Sequence, residues 1–131
     1  MMILSNFIPG TCENNKCLAN SLLPLGSQIA SLNKKYTLRM LTDGNLVIKC
    51  NNGIIWSTYT SNKGVAVMHF QKDGNVVLRT NNGSIVWQTE KKGEELKMQN
   101  EGNLVLYKMG NVSVWNAGTN SKCSGRKRYS S

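Results

Sequence analysis

The chain has 131 residues, of which 40% are hydrophobic and 18% are charged, and its formal net charge at pH 7 is +9. This length fits one domain with a hydrophobic core of its own, and the composition excludes wholesale disorder. No apolar run approaches the ~20 residues of a membrane-spanning helix, so we expect no transmembrane segment. The apolar N-terminus is too short for a signal peptide and lacks a basic start. If the protein is secreted, its signal has been removed or is missing from this sequence.

The cysteines predict two disulfides, and the sequence leaves all three pairings open. They are Cys12, Cys17, Cys50 and Cys123. Zinc is disfavoured because two of the cysteines are far from the others and the only histidine is His69. Disulfides are favoured over free thiols, which indicates a secreted or extracellular protein. We expect no metal and no other cofactor.

In chain order, an N-terminal extension (residues 1–20) precedes the segment SLLPLGSQIAS at 21–31, which is predicted to supply a strand that completes one sheet. Three related segments follow, with repeats near 36–59, 65–90 and 94–118. Each contains one version of the same octapeptide, namely TDGNLVIK (42–49), KDGNVVLR (72–79) and NEGNLVLY (100–107). A repeat at nearly constant spacing predicts one structural unit built three times.

Each repeat is predicted to form three short strands. A DG or EG turn separates the first two strands, and NNG or MGN separates the last two. The third strand carries a tryptophan 13 or 14 residues after the acidic residue, at Trp56, Trp87 and Trp115. Short strands between such turns, with no helical periodicity, indicate an all-β fold. The tryptophans are expected to pack on the axis around which three sheets face one another.

Alternation along the strands assigns two faces to each sheet. One face is apolar and is the predicted core, with Leu38, Met40, Leu46, Ile48, Met68, Phe70, Val76, Leu78, Leu96, Met98, Leu104 and Leu106. The opposite face carries a carboxylate, an asparagine and a valine in every repeat, and a glutamine in two of them. Carboxylates accept hydrogen bonds from hydroxyl groups, amides both donate and accept them, and valine packs on the C–H patch of a sugar ring. None of these groups is a nucleophile with an adjacent base, so the pattern favours binding over catalysis.

This repeat resembles the bulb-type, or monocot-type, mannose-binding lectin domain, whose motif Gln-x-Asp-x-Asn-x-Val-x-Tyr occurs three times with a tryptophan after each copy. The resemblance covers residues 21–118. It implies a β-prism II fold of three antiparallel sheets with internal pseudo-threefold symmetry. It also implies a non-catalytic lectin that binds terminal mannose or mannose-rich glycans, in defence or in recognition of cell-surface glycans.

The resemblance implies one candidate sugar site in each repeat, and none matches the motif completely. The third repeat has Glu in place of Asp, with Gln99, Glu101, Asn103, Val105 and Tyr107. The second has arginine in place of tyrosine, with Gln71, Asp73, Asn75, Val77 and Arg79. The first lacks both the glutamine and the tyrosine, with Leu41, Asp43, Asn45, Val47 and Lys49. We expect the first site to be the weakest. The aspartates also have a simpler interpretation as turn formers.

The last segment, residues 119–131, is a basic tail that contains Lys122, Arg126, Lys127 and Arg128. Such a tail predicts a solvated chain end. The sequence leaves open whether it pairs with a neighbouring sheet or with a second subunit in a homodimer. Two alternative functions also stay open: a degenerate scaffold for protein interaction, and binding of acidic or sulfated glycans through basic residues. Nucleic acid is not expected as a partner.

Overall fold

The computed structural model describes residues 10–123, which form thirteen β-strands. In chain order the strands are β1 (Gly10–Thr11), β2 (Lys16–Leu18), β3 (Ser21–Pro24), β4 (Gln28–Ala30), β5 (Tyr36–Met40), β6 (Leu46–Cys50), β7 (Gly53–Ser57), β8 (Val65–Phe70), β9 (Val76–Thr80), β10 (Ile85–Gln88), β11 (Glu95–Met98), β12 (Leu104–Lys108) and β13 (Val112–Asn116). No helix able to span a membrane occurs in that range. Most of the basic tail and the first part of the N-terminal extension lie outside the described residues.

The strands form three sheets, one for each repeat. Sheet 1 has the order β4-β5-β6-β7, sheet 2 has β1-β3-β8-β9-β10, and sheet 3 has β13-β12-β11-β2. Neighbouring strands are antiparallel, except that the two-residue β1 lies parallel to β3. Each repeat thus supplies three consecutive strands of its own sheet. The residues that precede the repeats supply the remaining strands, one each in sheets 1 and 3 and two in sheet 2. The predicted all-β fold of three sheets is confirmed.

The segment at 21–31 differs from its prediction because it supplies two strands rather than one. Its first half is β3 of sheet 2, and its second half is β4 of sheet 1. The chain turns between them at Gly26, whose φ of 85° lies in the region that favours glycine. The Gly26 N–H donates to the carbonyl of Met40 at 2.6 Å, which fixes the turn against sheet 1. One short segment therefore links two sheets.

The turn after the first strand of each repeat has the same geometry three times. Gly44, Gly74 and Gly102 have φ values of 94°, 98° and 98°. Each glycine N–H donates to the carbonyl three residues earlier, and the Gly102 bond to Gln99 measures 2.9 Å. A Cβ at Gly102 would lie 2.6 Å from the ring of Tyr36, so this position requires glycine for space as well as for conformation.

The apolar faces of the three sheets meet in one core. All twelve predicted core residues are at most 1% exposed. Full burial of a side chain of this kind contributes roughly 1.5–3 kcal/mol, so this shared core supplies most of the stability that holds the sheets together. The core prediction from period-2 alternation is confirmed.

The three tryptophans pack against one another, as expected for side chains on a common axis. Their ring centroids are 6.1, 6.1 and 5.9 Å apart, and every pair has an edge-to-face arrangement. This is the geometry that aromatic rings prefer, and each pair contributes about 0.5–1.5 kcal/mol beyond area burial. Trp56, Trp87 and Trp115 are half-buried against the core. They therefore link the third strands of all three repeats.

The cysteines pair as Cys12–Cys17 and Cys50–Cys123. The first bond spans 5 residues of sequence, and the second spans 73 and ties the end of the described chain to sheet 1. Ser121 N–H also donates to the carbonyl of Glu101 at 2.7 Å. The described start of the tail is thus bonded to sheet 1 and to the third repeat of its own chain.

We expect the two disulfides to differ in their effect on the free energy of unfolding. Loop-closure entropy predicts a loss of about 4 kcal/mol for the Cys50→Ser/Cys123→Ser double variant and about 2 kcal/mol for Cys12→Ser/Cys17→Ser, because the first bond closes the longer loop. Urea unfolding of the two double variants beside the wild type measures the difference. Equal losses would show that the Cys50–Cys123 bond does not stabilise the protein through loop closure.

Candidate functional site

The structure brings the five motif positions of each repeat together on the outward face of its sheet. The first position directly follows a strand, the second and third lie at the turn, and the last two lie on the next strand. In the third repeat, the Gln99 N–H donates to the carbonyl of Asn103 at 3.0 Å, and Val105 is paired across the sheet with Lys97. The same backbone pattern at residues 41–45 and 71–75 gives each sheet one candidate site.

In the third repeat, Gln99 joins the carboxylate to the tyrosine. Its Nε2 donates to Oε2 of Glu101, and its Oε1 accepts a hydrogen bond from the Tyr107 hydroxyl at 2.5 Å. The extra methylene of glutamate therefore leaves the carboxylate within reach of the glutamine. Lys97 Nζ lies over the Tyr107 ring, 5.7 Å from its centroid. This cation–π contact restrains the ring.

In the second repeat, Gln71 joins Asp73 to Arg79 in the same way. With the amide oxygen facing the arginine, Nε2 donates to Asp73 Oδ1 at 3.1 Å and Oε1 accepts from Arg79 Nη2. A second guanidinium nitrogen, Nη1, donates to the carbonyl of Gly83 at 2.7 Å. Arg79 thus takes the place that Tyr107 has in the third repeat, and brings a positive charge to it.

The first repeat has no equivalent bridge. Leu41 offers no amide, and within the described residues no hydrogen bond joins Asp43 to Lys49. The Asp43 carboxylate accepts from the Asn45 N–H at 2.9 Å, which is a contact within the turn. The outward face of sheet 1 therefore keeps the turn of the motif without its polar bridge.

The aspartates have the turn-forming role as well as a place on the outward face. Asp73 Oδ1 accepts from the Asn75 N–H at 3.0 Å, matching the contact of Asp43. This is an Asx turn, in which a side chain replaces a backbone acceptor. Only one carboxylate oxygen is used in each turn, so Oδ2 stays available to a ligand hydroxyl group.

The asparagines also hold the fold together, which the sequence interpretation missed. In every repeat the amide oxygen accepts from the backbone that follows the tryptophan strand. Asn45 Oδ1 accepts from Thr60 N at 3.1 Å, Asn75 Oδ1 from Glu90 N at 3.0 Å, and Asn103 Oδ1 from Gly118 N at 3.0 Å. The sequence did carry a signal, because a buried threonine recurs two or four residues after each tryptophan, at Thr58, Thr60, Thr89 and Thr119.

The motif valines form the floor beneath these polar groups. Val47 and Val77 are 0% exposed, and Val105 is 4% exposed. Across the sheet each valine faces a longer basic side chain, namely Arg39, His69 or Lys97. With these neighbours in place, Val47 and Val77 present no surface to a ligand and Val105 presents little, so the packing of a sugar ring on the valine expected from the sequence would require these side chains to move.

His69 is a titratable group whose pKa is affected by the charged residues of the second site. Burial lowers the pKa of His69, the positive charge of Arg79 lowers it further, and the carboxylate of Asp73 opposes both. The imidazole is therefore held in its neutral form at pH 7. As pH falls, the unfolded chain takes up this proton before the folded chain does, so His69 makes folding less favourable in acid.

Three solved lectin structures resemble this chain over most of its length. A Japanese Marasmius oreades lectin matches with a TM-score of 0.77 and 27% sequence identity, over 86% of this chain and 98% of that chain. Monomeric monocot mannose-binding lectins from Gastrodia elata match with a TM-score of 0.74 and 28% identity, over 82% and 99%. Polygonatum cyrtonema lectin, in complex with a monomannoside, matches with a TM-score of 0.65 and 26% identity, over 80% and 96%.

No protein-family model and no curated protein matches the chain. The solved structures nevertheless agree with the fold of three antiparallel sheets. The chain is a structural relative of the bulb-type mannose-binding lectins and has their β-prism II fold. The resemblance inferred from the sequence is confirmed.

The charges of the second site predict how substitutions there change the pKa of His69. The pKa of His69 should rise in Arg79→Gln, because a positive charge is removed, and fall in Asp73→Asn, because a negative charge is removed. NMR titration of the single imidazole measures both shifts. Lys91→Gln, which removes an exposed charge elsewhere, is the matched control and should leave the titration unchanged. An unchanged pKa in both site variants would mean that burial alone sets it.

Proposed function

We propose that the protein is a non-catalytic lectin that binds terminal mannose or mannose-rich glycans through its second and third repeats. The observation that carries this proposal is the glutamine bridge, from Glu101 to Tyr107 in one repeat and from Asp73 to Arg79 in the other. The bridge holds a carboxylate in a fixed position beside a tyrosine hydroxyl in one repeat and beside a guanidinium group in the other. Groups that are ordered before binding lose less entropy when the ligand arrives.

The chemistry of the bridge suits neighbouring hydroxyl groups on a sugar ring. A carboxylate oxygen accepts from one sugar hydroxyl. At the fifth position, the Tyr107 oxygen can accept from another hydroxyl while its own proton is donated to Gln99, and Arg79 can donate with an N–H outside the bridge. Each asparagine amide nitrogen already donates one hydrogen bond within the fold, Asn75 to Gln88 and Asn103 to Asn116, so its second N–H is the further donor. This set contains no group poised for nucleophilic attack, which supports binding without catalysis.

The solved relatives support mannose as the sugar. The Gastrodia elata proteins are described as mannose-binding, and the Polygonatum cyrtonema lectin was solved with a monomannoside. We propose the same ligand class here, in a role in defence or in recognition of glycans on cell surfaces. A single exposed site of this kind binds weakly, so two sites on one chain give useful avidity toward branched glycans.

The two disulfides support a secreted or extracellular location, because such bonds persist in oxidising compartments. That location is also where glycans on foreign or host surfaces are accessible. Homodimer formation stays a prediction, which sedimentation of the purified chain would test.

We expect Gln99→Ala and Gln71→Ala each to weaken mannose binding at its own repeat about tenfold, because each loses hydrogen bonds that orient its carboxylate. Isothermal titration calorimetry with mannose, and retention on a mannose column, measure the loss. Leu41→Ala is the matched control at the first repeat and should behave as wild type. A double glutamine variant that binds as wild type would contradict the proposal.

The missing bridge of the first repeat can be restored. We expect Leu41→Gln to add one weak mannose site per chain, because the new amide would lie between Asp43 and Lys49 as Gln71 lies between Asp73 and Arg79. The stoichiometry from calorimetry tests this, with Leu41→Met as a control of similar volume that lacks an amide. No added site in a folded Leu41→Gln chain would show that the bridge is insufficient.

A further inference from the structure

A basic depression lies on the outward face of sheet 1, at the end away from the Asp43 turn. It has a volume of about 520 Å³, and its lining has three amides, no acidic residue and four cationic side chains, namely Lys34, Lys35, Arg39 and Lys49. The amides include Gln28 and Asn51. We propose that this basic depression binds an acidic sugar unit, one that carries a sulfate or a carboxylate group. The site is distinct from the proposed mannose sites, which lie on sheets 2 and 3.

Among the described residues, the cations of the basic depression have no acidic partner, in contrast to sheet 3. There, Glu95 stands across from Tyr107 and pairs with both Lys16 and Lys97, each at 3.5 Å. These two are the ion pairs within residues 10–123.

On sheet 1 the equivalent position is Thr37, which stands across from Lys49 and carries no charge. Four like charges around one depression repel each other, and an anion placed among them relieves that repulsion.

The contacts that these cations do make are with neutral groups. Arg39 Nη1 donates to Gln28 Oε1 at 3.0 Å, and Lys35 Nζ lies 5.8 Å from the centroid of the Tyr36 ring. The bond to Gln28 orients the guanidinium while leaving its other N–H groups free to donate. A guanidinium presents those donors as a planar fork that matches the oxygens of a carboxylate or sulfate.

The size and the neutral lining favour a sugar over a bare ion. Depressions of roughly 300–1,000 Å³ accommodate small organic ligands, and the neutral lining also includes the hydroxyl of Thr37. This hydroxyl and the three amides are suited to sugar hydroxyl groups. Asn51 is also held in place, because its Nδ2 donates to Sγ of Cys123 at 3.7 Å, beside the Cys50–Cys123 bond.

The test is calorimetric titration of the full chain with glucose 6-sulfate, glucuronic acid and unmodified glucose at about 150 mM NaCl, where exposed charges further than ~8 Å apart are screened. We expect at least one acidic sugar to bind and glucose not to bind. The two acidic sugars distinguish sulfate from carboxylate recognition. Arg39→Gln and Lys49→Gln should each weaken binding about tenfold, whereas Lys91→Gln, which removes the same charge elsewhere, should change it less than about twofold.

Several results would overturn the proposal. They are failure of both acidic sugars to bind, equal binding in Arg39→Gln and wild type, and binding of inorganic sulfate as tight as that of the sugar sulfate. A chain that ends at Cys123 should keep the binding, and its loss would place the anion site in the basic tail. Mannose titration of Arg39→Gln keeps the two functions apart, because this variant should bind mannose as wild type does.

Discussion

Each sheet of this chain has one apolar face, and four or five short strands have no means of burying that face by themselves. Leu38, Met68 and Leu96 stand at equivalent places on the three sheets, and each is buried against the others' faces. Because the core exists only when all three sheets are present, the repeats fold as one unit. The opposite faces are turned to solvent for the same reason, which gives the protein three similar surfaces on which binding groups can differ without disturbing the core.

The motif at each turn contains residues that maintain the fold and residues that are proposed to contact the ligand. The glycine and the asparagine are structural, since Gly102 has no space for a side chain and Asn103 holds the loop at Gly118. The side chains at the first and fifth positions hydrogen-bond to each other in the second and third repeats, and Arg79 also donates to the Gly83 carbonyl. This separation explains how the first repeat keeps Asp43 and Asn45 while leucine has replaced its glutamine. On our proposal, the presence of the turn alone does not identify a sugar site, and the bridging glutamine does.

Period-2 alternation was sufficient to predict the core, the outward faces and the packing of the tryptophans, because these depend on local spacing. Three other features depend on contacts between distant segments. Strand β2, near the start of the described chain, pairs with β11 near its end, and the Cys50–Cys123 bond joins residues that are 73 positions apart. The hydrogen bonds of the asparagines join each turn to a segment 13 to 16 residues later. Alternation contains no information about such pairings, so the sequence left the disulfide pattern and the structural role of the asparagines undecided.

The fifth motif position shows how one backbone supports different ligands. Tyr107, Arg79 and Lys49 occupy the same place on three sheets, and their charge changes from neutral to positive while the strand beneath them stays the same. The neighbouring strand changes with them, because Glu95 neutralises its surroundings on sheet 3 whereas Thr37 leaves those of sheet 1 basic. On our proposals, neutral and acidic sugars are then held by one rigid chain. A cell surface that displays both neutral and acidic sugars would bind this protein more tightly than a surface with one kind alone. The reason is that the second contact forms at the high effective concentration set by the first.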